Sequence, residues 1–123
     1  MQTAITWFEI PVADLDRAQR FYETVLDRKL KREDWGQGAF AVFPSDEAAT
    51  GGCLQSGQNA SAAAASGIRV YLDCMPGIDA ALSRVETAGG KIISPKVELP
   101  HGMGFIASIR DREGNEVGLH ARA

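Results

Sequence analysis

The chain has 123 residues, of which 45% are hydrophobic and 24% charged, and its formal net charge at pH 7 is −3. This length and composition indicate one soluble globular domain that can bury a substantial core. An acidic balance without a Lys/Arg run argues against a nucleic-acid partner. Apolar runs far shorter than the roughly 20 residues that span a bilayer argue against a membrane protein. The N-terminus lacks the order of a signal peptide, so we expect a cytoplasmic protein.

The first half of the chain predicts a strand, a helix and three more strands. Residues Ile5–Val12 alternate with period two, and Asp14 and Asp16 offer N-cap carboxylates for a helix over Leu15–Leu26. This helix has one apolar stripe, formed by Leu15, Ala18, Phe21, Tyr22 and Val25. Turn residues then separate three predicted antiparallel strands: Lys29–Asp34, Gly38–Phe43 and Gly52–Ser56.

The second half predicts the same order after a small, polar connector at about 58–66. A strand over Ile68–Cys74 precedes a helix over Ile78–Ala88, which Gly89 and Gly90 end. Three strands follow, with a tight turn at Asp111–Asn115 between the last two: Lys91–Leu99, Met103–Arg110 and Glu116–His120.

The two halves also share residues. Asp79 lies 63 positions after Asp16, and the same offset superposes Ala18 on Ala81, Glu23-Thr24 on Glu86-Thr87 and Leu30 on Ile93. A period of about half the chain is too long for a solenoid repeat and too short for two independent domains. We therefore expect an α+β fold in which two similar modules frame a cleft.

Two long segments carry a resemblance to a known family. FEIPVADLDRAQRFYETVLDRKL and AGGKIISPKVELPHGMGFIASIRDREGNEVGLHA resemble the two modules of the vicinal oxygen chelate superfamily of glyoxalases, bleomycin-resistance proteins and extradiol dioxygenases. The resemblance implies a single domain, 1–123, of two βαβββ modules (about 1–57 and 67–123). These would form a cup-shaped, barrel-like sheet with the helices outside, and homodimers would be common. Asp27 departs from the family, which commonly has Gly there.

The resemblance also implies which residues of this chain correspond to the family's metal ligands. Alternation places Trp7, Glu9 and Pro11 of the first strand toward the cup, and Phe8, Ile10 and Val12 toward the helix. The fifth strand then turns Arg69, Tyr71 and Asp73 toward the cup, against Ile68, Val70, Leu72 and Cys74. The family's ligand positions thus fall on Trp7, Cys53, Arg69 and Gly118. Three of these side chains cannot ligate a cation, so we expect neither a metal nor another cofactor.

The remaining cup residues predict a small-molecule pocket. Aromatic walls with a few convergent polar groups are typical of such sites, and here the ligand-binding candidates are Trp7, Cys53, Gln55, Arg69 and Tyr71. Glu9 and His120 are candidate catalytic residues, because a His beside a carboxylate can act as a general acid. Glu9 and Arg69 can instead simply pair. We expect His101 to be an exposed loop residue, and Trp35 to lie either in the core or at the rim of the cup. The two cysteines, Cys53 and Cys74, read as free buried thiols.

Three hypotheses follow. The first is a metal-independent protein that binds a small, partly aromatic molecule, as drug-sequestering relatives do. The second is a superfamily enzyme (a lyase, isomerase or dioxygenase-like protein) that uses the Glu9/His120 couple or a metal displaced onto Glu9, Cys53 and His120. The third is a dimeric interaction protein whose own side chains fill the cup.

Overall fold

The computed structural model describes residues 2–35, 38–57 and 67–123, so the predicted connector at 58–66 lies outside the described residues. The elements follow the predicted order of strand, helix and three strands, twice: β1 (Ile5–Pro11), α1 (Leu15–Leu26), β2 (Lys31–Trp35), β3 (Gly38–Val42), β4 (Gly51–Gly57), β5 (Arg69–Asp73), α2 (Ile78–Val85), β6 (Lys91–Glu98), β7 (Phe105–Arg110) and β8 (Glu116–Ala121). The predicted α+β class with two βαβββ units is confirmed.

The chain divides into two compact units. The first unit comprises residues 7–69, and the second comprises residues 1–6 and 70–123. The N-terminal residues belong to the second unit because they join β5, where the backbone N–H of Asp73 donates to the carbonyl of Ala4 at 3.0 Å.

The first unit is a four-stranded sheet in the order β2-β3-β4-β1 with α1 packed on one face. Strand β1 runs parallel to β4, whereas β2, β3 and β4 are antiparallel neighbours, as predicted. Helix α1 begins at Asp14, whose carboxylate accepts from the backbone N–H of Arg17 at 3.1 Å. The core beneath its first turns consists of Leu15, Leu30, Ala41 and Leu54.

The second unit repeats this arrangement in the order β5-β8-β7-β6. Strand β5 runs parallel to β8, and β6, β7 and β8 are antiparallel. Its core consists of Ile78, Ala107, Leu119 and Ala121. Helix α2 ends at Val85, earlier than predicted, because residues 86–89 form turns that close at Gly89, which has a φ of 98°.

The repeated aspartate has the same role in both units. Asp16 in the first turn of α1 pairs with Arg32 on β2, and Asp79 in the first turn of α2 pairs with Lys96 on β6 at 3.1 Å. Each aspartate also complements the positive end of its helix dipole. The sequence repeat therefore marks a link between the helix and the outermost strand of each unit.

The register confirms the predicted alternation in the first unit. Ile10 and Val12 pack into the core beneath α1, and Phe8 lies against Gly52 on the same side. Ile68, also predicted to pack, is exposed at the C-terminal end of the first unit. In the second unit Leu72 lies opposite Leu119 but stays exposed. The reason is that α2 packs mainly over β6, β7 and β8.

The turn at 111–115 forms as predicted around one carboxylate. Asp111 accepts from the backbone N–H groups of Glu113 and Asn115, each at 2.9 Å, and from the Asn115 side chain at 3.1 Å. Gly114 supplies the positive φ of 91° that the turn requires. Within the described ranges, no helix has the length and apolar character needed to cross a membrane.

Candidate functional site

In the first unit, the sheet face opposite α1 brings four predicted site residues together. The register sets Glu9 beside Cys53 and Pro11 beside Gln55, and Trp7 lies beside Gly51. We call Trp7, Glu9, Cys53 and Gln55 the polar face. Glu9, Cys53 and Gln55 are all buried, and Trp7 is half-buried. Buried polar side chains in a row are uncommon on a sheet unless they are held in specific hydrogen bonds or serve a ligand.

Cys53 is a neutral thiol at the centre of the polar face. Burial raises its pKa far above the ordinary range, and the negative charge of Glu9 raises it further. The side chain of Trp7 hydrogen-bonds to Cys53, which opposes these two effects only in part. Because the thiolate is the attacking form of cysteine, the buried neutral thiol is a poor nucleophile. It instead orients Trp7.

Trp7 is positioned by its neighbours on β4. A Cβ atom built on Gly51 would lie 2.9 Å from one indole carbon of Trp7 and 3.2 Å from another, so the ring lies against the backbone there. With its side chain also bonded to Cys53, the indole is held in one orientation. A fixed aromatic plane can stack on a flat ligand with little loss of conformational entropy.

Tyr71 lies in the second unit at the place that Glu9 has in the first, beside the matched position on the neighbouring strand. It is buried opposite Gly118 on β8. A Cβ atom at position 118 would lie 2.8 Å from Cγ of Tyr71 and still closer to two other ring carbons. The Tyr71 ring therefore occupies the space that a side chain at position 118 would need.

Arg69 is half-buried at the start of β5. Its predicted pairing with Glu9 stays a prediction.

The family's metal site does not fit these residues. Trp7 offers no lone pair, Arg69 is a permanent cation, and Gly118 has no side chain, its space being filled by Tyr71. In the part of the chain that the structure describes, no group of three or more His, Cys, Asp or Glu residues is placed to hold a metal ion. The displaced metal on Glu9, Cys53 and His120 therefore has no support in the described residues.

His120 lines a cavity of about 230 Å³ in the second unit, together with Thr6, Asp73, Met75 and Arg122. Its Nε2 lies 2.8 Å from the carbonyl oxygen of Met103. A carbonyl only accepts, so Nε2 of His120 carries a proton and donates it to Met103. Among the described residues Nδ1 has no hydrogen-bond partner, and the same is true of the buried Thr6 hydroxyl. The second unit therefore holds two buried polar side-chain atoms beside this cavity that lack a hydrogen-bond partner among the described residues.

The loop between β6 and β7 supports His120. Leu99 N–H donates to the Gly104 carbonyl at 2.8 Å, which closes the loop, and the Met103 carbonyl accepts from His120. His101 is exposed, as predicted for a loop residue. Trp35 is 40% exposed, so it is not buried in the core. Both cysteines are free; Cys53 is buried as predicted, but Cys74 is only partly buried.

Four residues around His120 were not among the predicted site residues: Thr6, Asp73, Met75 and Arg122. Alternation already placed Asp73 on the same side as Tyr71, and continued from His120 it also places Arg122 on the face of that residue. Thr6 and Met75 had no such signal, because both lie at strand ends whose exact positions depend on tertiary contacts.

Comparison with known proteins gives a family and a fold. The family model described as Glyoxalase/Bleomycin resistance protein/Dioxygenase superfamily matches residues 4–119. Methylmalonyl-CoA epimerase from Mycobacterium tuberculosis is similar in structure, with a TM-score of 0.74 and 20% identity over 98% of this chain and 89% of that one. A Streptomyces coelicolor methylmalonyl-CoA epimerase matches with a TM-score of 0.67 and 16% identity over 98% of both chains. An uncharacterized Methanosarcina mazei protein matches with a TM-score of 0.64 and 20% identity, over 98% of this chain and 95% of that one. No curated protein matches the sequence.

Proposed function

Since the chain belongs to the Glyoxalase/Bleomycin resistance protein/Dioxygenase superfamily, we propose that it binds a small, partly aromatic organic molecule without the family's metal ion. The binding residues are Trp7, Cys53, Gln55, Arg69 and Tyr71. We further propose that it acts as a cytoplasmic homodimer. The observation that carries the proposal is the polar face, where an indole bonded to Cys53 shares one side of the sheet with the buried side chains of Glu9 and Gln55.

The chemistry of these residues defines the ligand class. An indole held against Gly51 offers a flat, electron-rich surface, which favours a planar or cationic partner. Gln55 supplies both a donor and acceptors, whereas ionised Glu9 only accepts. A ligand with an aromatic ring and at least one donor group satisfies this set.

Tryptophan fluorescence tests the proposal once Trp7 is the only reporter. In a Trp35→Phe background, a panel of aromatic drugs that includes bleomycin and mitomycin is titrated against the protein. We expect saturable quenching by at least one compound, lost in a further Gln55→Ala variant. The matched control is Trp7→Phe with Trp35 retained, in which the same compound should leave the emission unchanged. If no compound quenches Trp7 saturably, or if the Trp7→Phe protein responds equally, the proposal fails.

A second candidate function is an enzyme in which Glu9 and His120 exchange protons with a substrate. The observation that favours it is that His120 lines a cavity and that its Nδ1 has no hydrogen-bond partner among the described residues. The structural neighbours named methylmalonyl-CoA epimerase suggest methylmalonyl-CoA as the first probe.

Deuterium uptake separates the two functions. Incubation of the protein with methylmalonyl-CoA in D₂O, followed by NMR, measures proton exchange at the carbon between the two carbonyl groups. An enzyme of this kind would accelerate exchange, and Glu9→Gln and His120→Ala would each slow it by about 10²-fold or more. Exchange at the uncatalysed rate, or full activity of either variant, removes this candidate. If neither quenching nor exchange occurs, the third hypothesis, an interaction protein with its cup filled by its own side chains, remains.

A further inference from the structure

A second cavity lies on the opposite side of the first unit's sheet, under the C-terminal half of α1. Its volume is about 370 Å³, and all of its lining residues belong to the first unit. Phe8, Phe43 and Gly52 form its floor on the face that carries the core, whereas Trp7 and Glu9 lie on the other face. It is therefore separate from the polar face.

The cavity exists because α1 closes on the sheet at only one end. Leu15 is buried at the start of the helix, but Val25 is 60% and Leu26 44% exposed, although both line the cavity. In the second unit, Ile78 and Val85 at the two ends of α2 are only 1% and 8% exposed. The same βαβββ architecture can thus pack completely, and the first unit leaves an apolar cleft instead.

The floor of this cleft is preformed. The ring centroids of Phe8 and Phe43 lie 5.5 Å apart, and those of Tyr22 and Phe43 lie 5.8 Å apart in an edge-to-face arrangement. Gly52 lets Phe8 lie directly against β4, because a Cβ atom there would overlap the ring. The aromatic wall therefore does not need to reorganise to accept an apolar group.

Among the described residues that line the cleft, one is basic, and its side chain is free to bind a ligand. Arg28 lines it just beyond the end of α1, and no acidic residue does. Within the described ranges, the Arg28 guanidinium makes no ion pair or hydrogen bond. A guanidinium binds a carboxylate through two parallel hydrogen bonds.

We propose that this cleft is a second binding site, for an amphipathic carboxylate whose apolar chain lies on Phe8, Tyr22 and Phe43 and whose head group pairs with Arg28. A volume of about 370 Å³ holds about a dozen non-hydrogen atoms at about 30 Å³ each. Medium-chain fatty acids such as decanoate have this size. The single positive charge selects a monocarboxylate over a neutral or cationic amphiphile of equal length.

Calorimetric titration with decanoate, kept below its micellar concentration, tests the charge. Arg28→Gln should weaken decanoate binding about tenfold, because a charge-assisted bond is lost. The matched control is Arg20→Gln, which removes an exposed arginine of α1 outside the cleft and should stay within twofold of the native chain. Binding of decanol should be the same for the native and Arg28→Gln chains.

A second pair of variants tests the cleft itself. Val25→Glu places a carboxylate in it, and Phe21→Glu places one at an equally exposed apolar position of α1 outside it. Both chains should fold, as circular dichroism would check, but only Val25→Glu should abolish decanoate binding. The proposal is overturned if decanoate does not bind the native chain, or if it binds Val25→Glu as well as Phe21→Glu. It is also overturned if Val25→Glu turns a dimer into a monomer in sedimentation while decanoate binding persists, since the occupant would then be a second copy.

Discussion

The Gly118→Ala substitution tests how closely the Tyr71 ring packs against position 118, which corresponds to a metal-ligand position of the family. The added Cβ atom would lie 2.8 Å from Cγ of Tyr71, whereas carbon atoms in contact prefer about 3.5–4.0 Å. Because Cγ is at the root of the ring, Tyr71 cannot avoid the clash by turning its far end. Overpacking of this kind in a buried site costs about 1–3 kcal/mol.

Urea denaturation followed by circular dichroism measures this loss. With an m-value of about 1–3 kcal/mol per M, a loss of about 2 kcal/mol lowers the midpoint by roughly 1 M. The double variant Tyr71→Ala/Gly118→Ala is the control. Tyr71→Ala alone should cost about 3 kcal/mol, and adding Gly118→Ala should change that by less than about 0.5 kcal/mol, because the obstructing ring is gone.

Two results would refute the reasoning. One is a Gly118→Ala protein as stable as the native chain within about 0.5 kcal/mol. The other is strict additivity in the double variant, since that would mean that position 118 and the Tyr71 ring do not compete for the same space.

Three further predictions concern single residues. Asp27 ends α1 with a φ of 53°, so Asp27→Gly should raise the free energy of unfolding by about 0.5–1 kcal/mol in urea denaturation. The side chain of Asn115, followed by backbone N–H groups, lowers the pKa of Asp111, so this carboxylate stabilises the fold above the ordinary aspartate pKa of about 3.9. That contribution disappears as the pH falls through the lowered pKa, so Asp111→Asn should lose less stability than the native chain between pH 5 and pH 2. Burial is the main reason why the pKa of Cys53 is raised. In a Cys74→Ala protein, we therefore expect the Cys53 thiol not to react with Ellman's reagent until urea unfolds the chain.

Each of these has a contrary outcome. An unchanged or lowered midpoint for Asp27→Gly would mean that the left-handed aspartate is not strained. Parallel acid-denaturation curves for the native and Asp111→Asn chains would show that the turn does not depend on the carboxylate charge. Rapid labelling of the Cys74→Ala protein without urea would contradict a buried, protonated Cys53.

The sequence predicts the fold well where local signals and the core agree. The bounds of α1 were predicted correctly, because Asp14 and the apolar stripe from Leu15 are strong and consistent signals. Helix α2 lacks a side-chain N-cap and ends in overlapping turns, and its predicted end was three residues too late.

The cleft under α1 could not be predicted from the same stripe. Val25 continues the apolar periodicity of Leu15 and Tyr22, and periodicity reports only which side chains share a face. Whether the sheet reaches that face depends on the helix tilt and on the path of β3 into Pro44. The distance between the end of α1 and the sheet cannot be inferred from a local sequence pattern.

The sequence predicted which side chains of the first unit share a face, but it did not predict their contacts. Alternation and the module symmetry set Glu9, Cys53 and Gln55 on one face, and the register agrees. The bond from His120 to the Met103 carbonyl had no signal, because a backbone acceptor in a loop has no residue type to mark it. Yet that bond requires a proton on Nε2 of His120.

The packing of the Tyr71 ring on Gly118 limits the single mutations that this chain can accept at these two positions. Any residue with a Cβ at 118, including a histidine or glutamate suited to coordination, must first displace the aromatic ring. Replacement of the tyrosine alone leaves a void beside Gly118. Both routes to a side chain at 118 therefore pass through a less stable protein, and the two positions constrain each other's evolution.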